Sequence, residues 1–488
     1  MLWTKEMRYR NYRTITALEE KTLLENVESS IWRQHFHIQP PYGLLNDPNG
    51  FTFYNGKYYL FYQWFPFGAV HGMKHWYQVE SEDLVNWVDH GVAISPEYDH
   101  ESHGIFSGSG IVKDDLLYLF YTGNKRDENW NRYASQCLAV MNAGNELTKL
   151  EKPLITGQPN GYTDNFRDPK VWQTEDGYYM IVGAERENHT GCVLLYRSDD
   201  LLKWEFQGEL QTDRQQFGYM WECPDMFRIG GEDVLLISPQ GLEPDGDHYH
   251  NVHNSGCFVG KLDLQERRFH GSEFQELDAG FDFYAPQTTA LPDGRRILIG
   301  WMGLPDTAYP SDGDMWANCL TIPRELQVKD GKLYQHPVKE LAQKRKNMIE
   351  WQDTLTQQEV VLDQFSGKTF ELICDITAEK GTAGIKLRVG EGEETVLYLD
   401  LEKEKLVFDR TKSGVPVATE YGTIRRTAYR EKSVSFRIFM DTSSVEIFVN
   451  KGESIFTSRI FPKQDSIGTS IFANDGKASF ILKKWDYE

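Results

Sequence analysis

Three carboxylic acids stand in short turn-like motifs that each contain a proline. Asp47 lies in Asn46-Asp47-Pro48-Asn49-Gly50, Asp168 in Arg167-Asp168-Pro169, and Glu222 in Glu222-Cys223-Pro224-Asp225. Cleaving a glycosidic bond with retention needs two carboxyls about 5 Å apart, one attacking the anomeric carbon and one protonating the leaving oxygen. Asp47, in a polar turn, is suited to stay ionised as nucleophile, whereas Glu222, flanked by Met220 and Trp221, is suited to the raised pKa of an acid/base. Asp168 would hold sugar hydroxyls and favour a positive, oxocarbenium-like transition state. Its neighbour Arg167 points to the opposite face of a strand unless the strand start is bulged.

The elements that position these acids repeat. The motifs lead into Tyr58-Tyr59-Leu60-Phe61, Gly177-Tyr178-Tyr179-Met180-Ile181 and Val234-Leu235-Leu236-Ile237, and two acid-free segments, Phe106-Ser107-Gly108-Ser109-Gly110 and Tyr284-Ala285-Pro286-Gln287, fit the same template. With Asp47, Ser107, Asp168, Glu222 and Ala285 as markers, the steps are 60, 61, 54 and 63 residues. Ser81-Glu82-Asp83-Leu84-Val85-Asn86-Trp87 returns 117 residues later as Ser198-Asp199-Asp200-Leu201-Leu202-Lys203-Trp204, about two steps on. Self-similarity at a fixed period, in short aromatic and branched runs bounded by Gly, Asn and Asp, predicts an all-β fold with a five-bladed β-propeller. Equivalent strand starts then ring the central channel, where the acids meet.

That propeller is expected over 32–337, after an N-terminal extension, 1–31, in which Leu18, Leu23, Leu24 and Val27 follow helical spacing without visible chemistry. A connector over 338–350 leads to short strands at sandwich-like intervals, predicting a C-terminal β-sandwich over 351–488. Acids there, such as Asp441 and Glu446, alternate as on a solvated strand face. The sandwich could pair subunits as a homodimer, although no exposed stripe demands it.

A net charge of −21 excludes broad nucleic-acid and anionic-membrane surfaces, which need clustered Lys and Arg. The first residues lack the apolar run of a secretory signal, and no apolar stretch of bilayer-spanning length occurs, so a cytoplasmic location is expected. Cysteines at 137, 192, 223, 257, 319 and 374 show neither paired nor metal-type spacing. No metal or cofactor is expected. The remaining sugar contacts are sought at strand ends facing the channel: Asn46, Gln63, Trp64, Phe106, Ser107, Arg167 and Trp301.

These motifs resemble glycoside hydrolase family 32, the β-fructofuranosidases. The resemblance rests on Leu45 to Gly50, Phe61-Tyr62-Gln63-Trp64, Phe106 to Ser109, Phe166 to Pro169, Glu222 to Asp225 and Tyr284 to Gln287, in family order. It implies a five-bladed propeller followed by a sandwich, retention without metal, and Asp47, Asp168 and Glu222 as nucleophile, transition-state stabiliser and acid/base. Many invertases carry a Trp where this chain has His71. The stretch from His37 to Lys74 is most similar to bacterial sucrose-6-phosphate hydrolases, which implies sucrose 6-phosphate as substrate, with slower action on sucrose. A 6-phosphate needs charge-assisted donors. The candidates are His71, Lys74 and His75, and Lys125, Arg126 and Arg132 in the loop after Gly123. The rival readings are an intracellular invertase or fructan hydrolase, an inverting furanosidase whose acid and base stand about 6.5–9.5 Å apart, and a propeller that binds sugar without cleaving it.

Overall fold

The computed structural model describes residues 3–214 and 216–487. Five antiparallel sheets follow one another from Gly43 to Pro337, and each is a blade of a propeller. Their innermost strands are Gly43–Tyr54, Ile105–Lys113, Tyr162–Thr174, Met220–Ile229 and Tyr284–Ala290. The turns are written in the sequence. Asn55-Gly56, Asp114-Asp115, Gly230-Gly231 and Asp330-Gly331 join paired strands with both residues at positive φ. That is the geometry whose twist matches a two-residue hairpin.

Each inner strand breaks register at its motif, between Leu45 and Pro48, Ile105 and Gly108, Arg167 and Lys170, Glu222 and Asp225, and Tyr284 and Gln287. The bulge re-aims side chains toward the channel mouth. Asp168, Cys223 and Ala285 take left-handed φ values of 71°, 46° and 48° at equivalent places. The acids are therefore not strictly equivalent: Glu222 precedes the left-handed residue and corresponds to Arg167 and Tyr284, one position before the marker chosen from sequence.

Polar side chains pin the inner strands to one another. Asn49 accepts from the Gly108 N–H, Ser109 donates to the Pro169 carbonyl, Lys170 donates to Asp225 at 2.9 Å, and the Thr288 hydroxyl donates to Asp225 at 2.7 Å. The ring closes when Trp316–Ala317, which follows the fifth blade's second strand, pairs in parallel with Gly43 and Leu44 of the first blade. Gly43 sits there at φ 75°, and a Cβ would lie 2.1 Å from the Phe65 carbonyl oxygen.

A 3-10 turn over Lys339–Lys344 leads into strand Arg345–Val361, which begins inside the segment read as a connector. This strand and the last, Gly468–Tyr487, run side by side through both layers of the β-sandwich. The last strand pairs with Thr382–Gly390 through residues 468–474 and with Phe370–Ala378 through 478–486, so the two layers share it. Phe370, Ile385, Leu399, Phe436, Ile447 and Ile471 fill the space between the layers.

Asp441 and Glu446 are fully buried, against the expectation of a solvated face. They hold His37 from both sides at 2.7 and 3.0 Å, and Glu446 also pairs with Arg324 of the fifth blade at 2.6 Å. Alternation marked the face correctly, but that face packs on the propeller rather than on water.

The N-terminal segment forms short helix Lys5–Arg8 and helix Ala17–Glu28, the latter capped by a reciprocal Thr16–Glu19 box. Leu23 and Val27 are buried against the first blade's core, while Leu18 and Leu24 are exposed.

Candidate active site

The three acids meet through Cys223. Its backbone N–H donates to Asp168 Oδ2 at 2.9 Å, its thiol lies 3.7 Å from Asp47 Oδ2, and Glu222 is its chain neighbour. All three carboxylates line one cavity of about 270 Å³ at the channel mouth.

Each acid is held differently. Asp47 Oδ2 accepts from Ser107 Oγ at 2.5 Å, and Oδ1 from Asn46 Nδ2 at 3.1 Å. The Ser107 oxygen accepts from Gln63 Nε2 at 2.7 Å, which commits the Ser107 proton to Asp47. Gln63 Oε1 accepts in turn from Asn46 at 2.7 Å, so three side chains fix one carboxylate. Glu222 Oε1 accepts from Arg167 Nε and Nη2 at 2.9 and 2.8 Å, and Oε2 from Tyr284 and Gln240 at 2.6 and 2.7 Å. The bulge thus turns Arg167 toward Glu222.

The electrostatics reverse one expectation. Burial, and then the charge of Glu222, push Asp47 upward. Burial pushes Asp168 up to about 7, with Arg167 opposing and Glu222 adding to it. Burial acts on Glu222 too, but the Arg167 charge and the hydrogen bonds from Tyr284 and Arg167 outweigh it and hold Glu222 low. Trp221, expected to raise Glu222, turns to the other face, where it is 1% exposed and donates to the Phe217 carbonyl.

Phe106, Trp301, His71, Lys74, Arg126 and Arg132 also line the cavity. Trp301 stands edge-on to His71, with centroids 6.1 Å apart. Burial lowers Lys74 to about 7 against the pull of Asp47, and holds His71 well below 6.5. Trp64 is a core residue instead: it is 3% exposed, donates to the Tyr42 carbonyl and packs on Tyr42 and Tyr77. His75 faces Tyr12 at 4.8 Å, and burial drives it to about 3. Lys125 turns outward to Asp99. Trp64, His75 and Lys125 are thus withdrawn from the candidate sugar and phosphate contacts.

Other lining residues escaped the sequence reading. Tyr284 was visible as the template residue equivalent to Glu222. Gln240 ends the fourth blade's second strand as Gln63 nearly ends the first blade's, a signal that was there to use. Arg8 and Tyr9 come from the N-terminal extension, where no sequence motif marks them. With them, Arg8, Lys74, Arg126, Arg132 and Arg167 set five basic side chains against three carboxylates in a chain of net charge −21. Lys74 Nζ, Arg126 Nε, Arg132 Nε, Trp301 Nε1 and Asn46 Oδ1 are buried without a hydrogen-bond partner among the described residues.

Comparison with known proteins agrees with this arrangement. Residues 37–337 match the model for the glycosyl hydrolases family 32 N-terminal domain, and residues 337–486 the model for the family's C-terminal domain. A sucrose-6-phosphate hydrolase of Staphylococcus xylosus is 43% identical over 99% of this chain and 98% of its own length. One from Bacillus subtilis is 41% identical over 94% of each. The structure of sucrose-6-phosphate hydrolase from Lactobacillus gasseri superposes with a TM-score of 0.94 at 35% identity, covering 100% of this chain and 99% of that one. A Bombyx mori β-fructofuranosidase, solved as a mutant in complex with sucrose, gives 0.81 at 34% identity over 97% and 99%. The chain belongs to glycosyl hydrolase family 32 and is a glycoside hydrolase.

Proposed function

We propose that this enzyme hydrolyses sucrose 6-phosphate to glucose 6-phosphate and fructose with retention of configuration, and acts more slowly on sucrose. The observation that carries the reading is one cavity holding three linked carboxylates together with a surplus of basic side chains. A sugar phosphate brings close to two negative charges at neutral pH. Arg126 and Arg132 are our phosphate ligands, joined by Arg8. Lys74, coupled to Asp47, serves the fructosyl side.

In the first step an Asp47 oxygen attacks the anomeric carbon of the fructosyl unit. The bond to the bridging oxygen breaks, its electron pair stays on that oxygen, and Glu222 supplies the proton with which glucose 6-phosphate leaves. In the second step Glu222, now a carboxylate, takes a proton from water. That water attacks the same carbon, fructose is released, and Asp47 is restored. Asp168 balances the positive charge that develops on the ring. Arg167 opposes a proton on Glu222 in the free protein. Three neighbouring carboxyls titrate as one system, however, so the proton retained by Asp168 can pass to Glu222 once the bridging oxygen sits beside it.

A phosphorylated sugar does not diffuse across a bilayer, and the six buried, unpaired cysteines suit a reducing compartment. A cytoplasmic enzyme follows from the same proposal. The test is kcat/KM on sucrose 6-phosphate, sucrose and inulin side by side. We expect at least a tenfold preference for the phosphorylated sugar, about 1.4 kcal/mol in the transition state. Equal values would make it an invertase, and NMR showing first-formed α-fructose would remove retention.

A further inference from the structure

The N-terminal segment crosses the channel mouth on the side of blades one and two. In both blades the second strand returns to the motif end of the sheet, as Leu45 opposite Trp64 and Ile105 opposite Gly123 show. The loops that follow, 66–74 and 127–131, therefore rise on the face that holds the acids. Residues 3–9 span from one loop to the other. Trp3 packs edge-on against Phe65 at 5.8 Å. The Arg8 carbonyl accepts from the Met73 N–H at 2.7 Å, and Arg8 Nη1 donates to the His71 carbonyl at 3.2 Å. On the far side Lys5 Nζ lies 4.0 Å from the Trp130 ring centre, and Tyr9 meets the same ring edge-on at 5.2 Å.

The approach is close enough to constrain the chain beneath. A Cβ on Gly72 would stand 2.5 Å from the Arg8 carbonyl oxygen, so the loop presents glycine there. Arg8 and Tyr9 reach past the loops to line the cavity itself. A cavity of about 270 Å³ lies near the small end of ligand sites, which run from about 300 to 1,000 Å³.

We infer that residues 3–9 are a specificity element: an end wall that confines hydrolysis to disaccharides and excludes fructan chains, whose added fructosyl units would extend through the place this segment occupies. The inference rests on the reading of the Asp47–Asp168–Glu222 cavity as the active site.

The test compares neutral substrates, so that loss of the Arg8 charge does not enter. A variant lacking residues 2–9 and a Trp3→Ala/Lys5→Ala double variant, which loosens the segment at two anchors outside the cavity lining, are assayed on 1-kestose and sucrose. Thermal unfolding confirms the fold, and limited proteolysis reads release of the segment. We expect the kcat/KM ratio of 1-kestose to sucrose to rise at least tenfold on deletion and at least threefold in the double variant. An unchanged ratio in a folded deletion variant overturns the inference. Should that variant not fold, an unchanged ratio in a double variant with a protease-sensitive segment does the same. An Asp47→Ala protein that still hydrolysed sucrose would overturn the active-site reading and this inference with it, whereas a failed ratio beside an inactive Asp47→Ala protein removes the end wall alone.

Discussion

Burial and the Arg167 charge decide how protons are distributed among the three acids. Arg167 donates twice to Glu222, and that charge keeps the proposed acid/base low while burial keeps Asp168 at about 7. Replacing Arg167 with Met should move the alkaline limb of the kcat/KM profile upward by about 1–3 units, because an adjacent opposite charge depresses a carboxyl by that much. The overall rate should fall in the same variant, and a pH–rate series from 5 to 9 measures both. On the proposed reading Arg126 and Lys74 meet different halves of the substrate. Arg126→Ala should lower kcat/KM on sucrose 6-phosphate by about 10- to 150-fold, the worth of a hydrogen bond to a charged group, and leave sucrose nearly unchanged. Lys74→Met should damage both sugars alike; a selective loss on the phosphorylated one would move Lys74 to the phosphate. The acids themselves were legible from chain order, since turn chemistry and the step of about 60 residues point to them. Their protonation was not. Trp221 precedes Glu222 in sequence yet faces away, and Arg167 reaches Glu222 from another blade.

The bulged inner strand is the working element, because it sets one polar residue per blade at the mouth and the next along the channel wall. Lys170 and Asp225 form a buried ion pair between the third and fourth blades, with side chains 6% and 0% exposed. Lys170→Met leaves the Asp225 carboxylate with Thr288 and a distant Arg296 at 3.8 Å. A broken buried pair costs about 3–5 kcal/mol, so Tm should fall clearly, with the Asp168 and Glu222 strands losing their mutual register. Scanning calorimetry reads the first effect and activity the second. Strands and hairpins were visible in the sequence because Asn-Gly and Asp-Gly turns punctuate them. The bulges were not, since the register breaks after Arg167, Glu222 and Tyr284 show only in pairing. Trp64 illustrates the same limit: an aromatic at a strand end can face either the channel or the neighbouring strand, and only the packing of Tyr42 and Tyr77 decides.

On the scale of the whole molecule, His37 joins the propeller's entry segment to the sandwich. Burial pushes His37 down, but its hydrogen bonds to Asp441 and Glu446 outweigh that and raise it from 6.5 to about 9. A raised base is protonated more strongly in the folded than in the unfolded chain. Its contribution is therefore fully present below pH 6.5 and is lost as the pH rises through 9. Tm should decline between pH 7 and 9.5, and His37→Gln should flatten that part of the profile while lowering Tm at pH 7. These contacts were hidden from sequence because they join positions some four hundred residues apart, and alternation on a strand says which face differs, not what covers it.

The clasp of Trp316–Ala317 onto Gly43–Leu44 has a consequence for the order in which the protein can be made. The first blade leaves the ribosome with the start of its inner strand, Gly43–Leu44, unpaired, and the partner follows about 270 residues later, roughly 15–55 s at ordinary rates of synthesis. Asp47 stands just beyond that edge, so the proposed nucleophile is among the first functional groups translated and among the last enclosed. A nascent chain stalled before Trp316 would keep the ring open with Gly43 and Leu44 unpaired, the kind of bare strand edge that chaperones bind and that aggregation exploits.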